Sequence, residues 1–202
     1  MKNVLTFFIA FLVTVSTYGQ GSTGSTGSTD STDKTSKKTT TKKENNIPSD
    51  WKLFSNGTHS IQYPQDWTLD ESGQMMTSFI LFSPLESDYD QFKENVNLVI
   101  QDLAAYGMAN MSLDSYVELS LSQMPNIIEN YTLSSSERKT KNGKTYQEVV
   151  YTGVQMGYML KWKQRVWLED SKAYVLTFTG EETKFYSAGK IGTKIMDSIQ
   201  KK

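Results

Sequence analysis

The sequence predicts an α+β fold, one central antiparallel sheet with helices packed against it. Three observations carry the prediction. From residue 51 onward, short apolar runs, several with a two-residue period, are joined by tight-turn signals, as hairpins require. A 3.6-residue apolar period occurs in only two places, near 113–124 and 183–200. The order is strands, helix, consecutive strands, helix, with no repeating strand–helix–strand unit that would build a parallel sheet.

Residues 51–55 and 59–63 read as strands. Asn56-Gly57 between them signals a tight hairpin whose two turn positions both take positive φ. Residues 77–83 (TSFILFS) are a near-continuous apolar run, a buried strand. Over 95–103 the pattern alternates, with Val96, Leu98 and Ile100 on one face and Asn95, Asn97 and Gln101 on the other. Then the period changes. Leu113, Tyr116, Val117, Leu121 and Met124 share one side of a helix. Ser112 is its N-cap, Asp114 meets the positive end of its dipole, and Pro125 ends or kinks it.

Lys141-Asn142-Gly143-Lys144 is a second tight-turn signal. Strands over 146–154, 159–169 and 173–179 follow, joined through Met156-Gly157 and Glu169-Asp170-Ser171-Lys172. In the middle one, Leu160, Trp162, Gln164, Val166 and Leu168 alternate with Lys161, Lys163, Arg165, Trp167 and Glu169. The closing helix, 183–200, lines one side with Ala188, Gly192, Ile195 and Ile199. Glu181 and Glu182 before it and Lys201 and Lys202 after it match its dipole.

The first part of the chain is different in kind. Lys2 precedes the apolar run 4–15 (VLTFFIAFLVTV), and Ser16-Thr17-Tyr18-Gly19 follows, with a small residue at the expected cut. This is the three-part layout of a secretory signal peptide, residues 1–19, whose apolar run is shorter than the ~20 residues a spanning helix needs. Residues 20–48 are a Ser/Thr/Gly/Lys linker with three GST triplets. The stretch 20–46 has no aromatic side chain and no aliphatic group larger than a Thr methyl. Such a segment buries too little apolar surface to offset its ordering entropy, so it is expected to be disordered. The folded domain is expected over 49–202, and the chain is expected to be periplasmic or secreted.

Composition narrows the chemistry. The chain has no cysteine, which excludes disulfides, thiolate metal sites, Cys nucleophiles and lipoprotein attachment. An exported protein without cysteine fits a bacterial envelope. The formal charge is -1, and loss of Lys2 with the signal makes it -2, far from the basic excess of a nucleic-acid binder. Mean hydropathy is -0.49, a value diluted by the linker.

Several segments, in order, resemble PsbP-like domains. Ser60-Ile61-Gln62-Tyr63-Pro64-Gln65-Asp66-Trp67 is similar to the family's opening of isoleucine, any residue, tyrosine-proline, two residues and tryptophan. Phe92 to Leu98, the helix opening Ser112 to Tyr116, Lys172 to Thr177 and Ile195 to Ile199 continue the match. The resemblance spans about residues 51–200. It implies a central antiparallel sheet flanked by helices, a fold shared with the Mog-type Ran-binding proteins. It also implies roles in protein binding and assembly, and it brings no catalytic motif. PsbP itself is an extrinsic subunit of photosystem II. No chloroplast transit peptide is present here, so that role does not carry over.

Four groups of residues are candidates for a site. His59, the single histidine, can serve as a base near neutral pH, but beside a turn it reads first as a surface residue. One His and no Cys leave zinc short of ligands. Glu86, Asp88 and Asp90 alternate in a loop, so they either offer oxygens to a hard cation or form a solvated acidic loop. Lys161, Lys163, Arg165 and Trp167 share one strand face. They either bind a phosphate, a lipid head group or an acidic partner, or are simply the wet face of a half-buried sheet. The many Tyr and Trp either line an apolar ligand groove or form core and cross-strand pairs. No cofactor is expected.

Three functions follow, in order of preference. The first is a non-catalytic binding or assembly module of the bacterial envelope with a protein partner. The second is a carrier of a small apolar or anionic ligand. The third is a hydrolase built on paired carboxylates.

Overall fold

The computed structural model describes residue 48 and residues 50–141 and 143–202. The expected signal peptide (1–19) and the linker (20–48), apart from Pro48, lie outside the described residues. No described helix is long and apolar enough to cross a membrane.

The fold is α+β. Among the described residues ten strands run in chain order: β1 (Lys52–Ser55), β2 (His59–Tyr63), β3 (Thr68–Asp70), β4 (Thr77–Phe82), β5 (Asn95–Asp102), β6 (Glu129–Lys141), β7 (Lys144–Gln155), β8 (Tyr158–Glu169), β9 (Lys172–Glu181) and β10 (Gln200–Lys201). Helix α1 (Leu113–Ile127) stands between β5 and β6, and α2 (Phe185–Asp197) between β9 and β10. Seven strands form one sheet in the order β3-β4-β5-β9-β8-β7-β6, every pair antiparallel. The other three form a small sheet, β1-β2-β10.

The large sheet is covered on both faces. On one, Val99, Val175, Trp162, Val149 and Tyr151 meet Tyr116, Val117 and Met124 of α1. On the other, Val96, Leu98, Leu176, Phe178 and Trp167 meet Phe54, Ile61 and Tyr63 of the small sheet and Phe185, Ile195 and Met196 of α2. The polar face expected on 95–103 is also enclosed, with Asn95 and Asn97 buried on the α1 side. On that same face Gln164 donates to Thr177 Oγ1 at 3.2 Å across two strands, so buried polar groups partner one another there.

Helix α1 begins as expected, with Ser112 Oγ accepting from Ser115 N at 3.0 Å. It does not end at Pro125. Pro125 sits inside the last turn, where the missing N–H forfeits one bond, and Ile128 N still closes on Met124 O at 2.9 Å. Helix α2 is shorter than the expected 183–200. After Ser198 the chain turns into β10, which pairs Gln200 with Ser60 and Lys201 with His59.

The turns also differ from expectation. At the first hairpin only Gly57 takes positive φ (86°); Asn56 pairs with His59, and its Oδ1 accepts from Thr58 N (3.1 Å) and His59 N (2.9 Å). The turn is therefore centred on Gly57-Thr58, one residue later than expected. The Met156-Gly157 turn takes positive φ at both positions, 50° and 85°, as does Asp170-Ser171 at 52° and 57°.

Candidate functional site

One end of the large sheet gathers the segment between β4 and β5, the start of β8, the end of β9 and the approach to α2. Ser83 N donates to Glu94 O at 2.8 Å and closes the base of the segment. A pocket of about 360 Å³ opens there, lined by Glu86, Tyr89, Asp90, Tyr158, Glu181 and Lys184 among others. Lys184 Nζ lies 2.7 Å from Glu181, 2.9 Å from Asp90 and 3.8 Å from Glu86. Burial opposes its charge, but the hydrogen bonds to Glu181 and Asp90 outweigh burial and hold its pKa above the usual lysine range. Asp90 also accepts from the backbone N–H of Glu86 (3.0 Å) and Phe92 (3.3 Å). These bonds overcome burial and keep its carboxyl below its usual pKa.

The structure thus brings Glu86 and Asp90 of the expected acidic trio around Lys184, while Asp88 stands exposed. Among the described residues no group of three or more His, Cys, Asp or Glu is arranged to hold a metal ion. Nearby, Glu94 is buried, with Oε1 unpartnered and Oε2 accepting from Ser83 Oγ at 3.2 Å; burial pushes its pKa up.

Large apolar side chains at this end stay in solvent. Tyr89 is 94% exposed, Tyr186 81% and Met156 64%, and Met159 is exposed too. They come from three separate segments. Glu182 N donates to Met159 O at 3.0 Å, which seats the β7–β8 hairpin tip against the start of α2.

The row Lys161, Lys163, Arg165 and Trp167 lies on the face that α2 packs over, so the expectation of a simple wet face is corrected. Arg165 is buried and holds Glu148 (Nε, 3.1 Å) and Asp197 of α2 (Nη1, 2.7 Å). Trp167 is buried against Tyr174, their rings 5.1 Å apart and nearly parallel, with the Lys144 ammonium 4.5 Å from the Trp167 ring centroid. The other two members differ. Lys163 donates to Thr193 Oγ1 of α2 at 3.0 Å, and Lys161 lies 5.4 Å from the Phe185 ring and 5.3 Å from that of Tyr186.

His59 is not on the surface: it is 2% exposed. It shares the β2 face that carries Ile61 and Tyr63 into the core, with its ring 5.3 Å from that of Tyr174 on β9, while β10 pairs alongside. Thr58 Oγ1 donates to Asn56 Oδ1 at 2.9 Å, so toward His59 Nδ1, 3.1 Å away, it acts as acceptor. The neutral ring therefore carries its proton on Nδ1. Burial first, and then Lys144, lowers the His59 pKa.

No protein-family model matches the chain, and no curated protein matches it by sequence. Solved structures do. The solution structure of cyanobacterial PsbP from Synechocystis superposes with a TM-score of 0.54 at 11% identity, over 79% of this chain and 96% of that one. The fold is PsbP-like. A second PsbP-like match is PA94 of Pseudomonas aeruginosa, a protein of unknown function, with a TM-score of 0.52 at 12% identity, over 73% of this chain and 94% of that one. At these identities the likeness concerns the fold alone.

The sequence marks the row on β8 and the acidic loop, but not the residues that stand between the loop and Lys161, where that row begins. Tyr89, Met156, Met159 and Tyr186 carry no spacing signal, because only the sheet brings their segments to one end. Lys184, the hub of the pocket, was legible only as part of a helix start.

Proposed function

We propose that this PsbP-like domain is a non-catalytic binding module of the bacterial cell envelope, exported by a cleavable signal, with a protein as its partner. The observation that carries the reading is the gathering of exposed Tyr89, Tyr186, Met156 and Met159 at one end of the sheet. Soluble proteins seldom leave several large apolar side chains together in water without a use for them. Tyr and Met are the residue types enriched where proteins meet.

A carrier of a small apolar or anionic ligand gains less support, since an apolar site is lined mainly by apolar groups and the pocket's cation, Lys184, is already held by Asp90 and Glu181. The end pocket presents Glu86, Asp90, Glu181 and Lys184. A hydrolytic role gains less as well, because Asp90 and Glu181 are both held on Lys184.

The test is affinity capture from envelope extracts with the full mature chain and with a quadruple variant, Tyr89→Ser, Met156→Ser, Met159→Ser and Tyr186→Ser. One defined partner, retained by the native chain and lost by the variant at unchanged melting temperature, is expected. Equal retention by both chains, or turnover of an envelope substrate by the purified domain, would overturn the reading.

A further inference from the structure

Helix α2 runs beside the β8 row in step with it. Tyr186 meets Lys161, Thr193 meets Lys163 and Asp197 meets Arg165. Residues 186, 190, 193 and 197 are spaced by four, three and four, so they share one flank of the helix, and Lys190 falls on it between Tyr186 and Thr193. Lys161, Lys163 and Lys190 therefore border one strip between the helix and the sheet. Among the described residues none of the three has a carboxylate within ion-pair distance.

The carboxylates beside Lys163 and Arg165 are already engaged; Glu182, near the Lys161 end, is exposed and lies beyond ion-pair distance of Lys161. Glu148 holds Lys139 at 2.6 Å and Arg165 at 3.1 Å; Asp197 holds Lys141 and Arg165, both at 2.7 Å. Glu137 pairs with Lys139 at 3.2 Å. Three cations, Lys139, Lys141 and Arg165, thus occupy the three carboxylates Glu137, Glu148 and Asp197, and Lys161, Lys163 and Lys190 are left outside these pairs.

Lys163 is the member under most tension. It is half-buried, and its ammonium has one neutral acceptor, Thr193 Oγ1, for three donors. Burial lowers its pKa, with Arg165 and Lys139 adding to the effect against Glu148 and Asp197. A sheltered cation without a counter-charge is costly, and an anion delivered to it removes that cost.

We propose that this strip receives an extended acidic segment of the partner protein, with carboxylates at alternate residues seated on Lys161 and Lys163 and with Lys190 beside them. The spacing supports an extended segment. Lys161 and Lys163 stand two residues apart on one strand, about 7 Å, and alternate side chains of an extended chain repeat at that same distance. Their neighbours on β7, Thr152 and Val150, are half-buried and not covered by an ion pair. The inference rests on the binding-module reading and adds the chemistry of the partner.

The experiment uses the full mature chain and calorimetric titration with acetyl-Gly-Glu-Ser-Glu-Ser-Glu-Gly-amide. Controls are a peptide of equal composition, acetyl-Gly-Glu-Glu-Ser-Ser-Glu-Gly-amide, and inorganic phosphate. The alternating peptide is expected to bind more tightly than either control. Its affinity should fall at least about tenfold in Lys161→Gln/Lys163→Gln and should weaken as salt rises from about 20 to about 200 mM. Lys172→Gln, at the far end of β8 and β9, should bind as the native chain does. No binding of the alternating peptide, equal binding of the control peptide, phosphate binding as tight as the peptide's, or equal affinity in the double variant would each overturn the proposal. A partner captured equally well by the double variant would defeat this inference and leave the module reading standing. Peptide binding without any captured partner would leave the strip's preference for spaced carboxylates standing and defeat the module reading.

Discussion

Gly192 of α2 lies directly on the Phe178 ring of β9: a Cβ built on the glycine would come within 2.6 Å of ring carbons. The helix approaches the sheet as closely as it does because this position has no side chain. Three residues earlier, Gly189 has its nearest neighbour at 3.7 Å. The two glycines therefore predict opposite outcomes. Gly189→Ala should stabilise the fold by about 0.5–1 kcal/mol, the ordinary gain of replacing a helical glycine. Gly192→Ala should lose about 1–3 kcal/mol, because overpacking outweighs the same gain. Urea unfolding of the two variants decides it, and a stabilised Gly192→Ala would mean that α2 does not dock as described.

A second prediction concerns Arg165, whose guanidinium joins Glu148 of β7 to Asp197 of α2. Arg165→Met leaves both carboxylates without that partner in a sheltered place. A loss of about 3 kcal/mol at pH 7 is expected, the scale of breaking a buried pair on one side. The two carboxylates regain neutrality on protonation, so the deficit should shrink in acid. A deficit equal at pH 7 and pH 4 would refute the electrostatic account.

These two sites illustrate what was legible in the sequence. The 159–169 alternation placed Arg165 and Lys163 on one face correctly, but not what covers that face, since the docking of α2 depends on a glycine contact with a distant strand. The start of α1 was legible because its cap is local, Ser112 to Ser115. Its end was not, because a proline in a last turn forfeits little. Strand β6 escaped notice because it is an edge strand, mostly exposed and rich in Ser, Lys and Glu, with no apolar period to betray it. The burial of His59 was not legible because it comes from docking the small sheet on Tyr174 of a distant strand.

The pH dependence of stability follows from two buried groups of opposite sign. The folded His59 pKa lies below the usual 6.5, so on acidification the unfolded chain takes the proton first. Its contribution is complete above about pH 6.5 and is lost as pH falls from there toward the folded value. Glu94 is raised above the usual 4.5, so as pH rises the unfolded chain ionises first. Its contribution is present at low pH and is lost as pH climbs through the folded value. His59→Phe should flatten the slope below pH 6.5, and Glu94→Gln should stabilise at pH 7.5 but not near pH 4. An NMR titration placing His59 at or above 6.5 would contradict the first half.

The central claim is that the end of the sheet bearing Tyr89 and Tyr186 is where a partner protein sits. Photo-crosslinking in intact cells tests it most directly, with p-benzoylphenylalanine placed singly at Tyr89, Tyr186, Lys172 and Tyr106. One common protein should be captured from Tyr89 and Tyr186 and from neither of the other two. Capture of that protein mainly from Lys172 or Tyr106 would contradict the account.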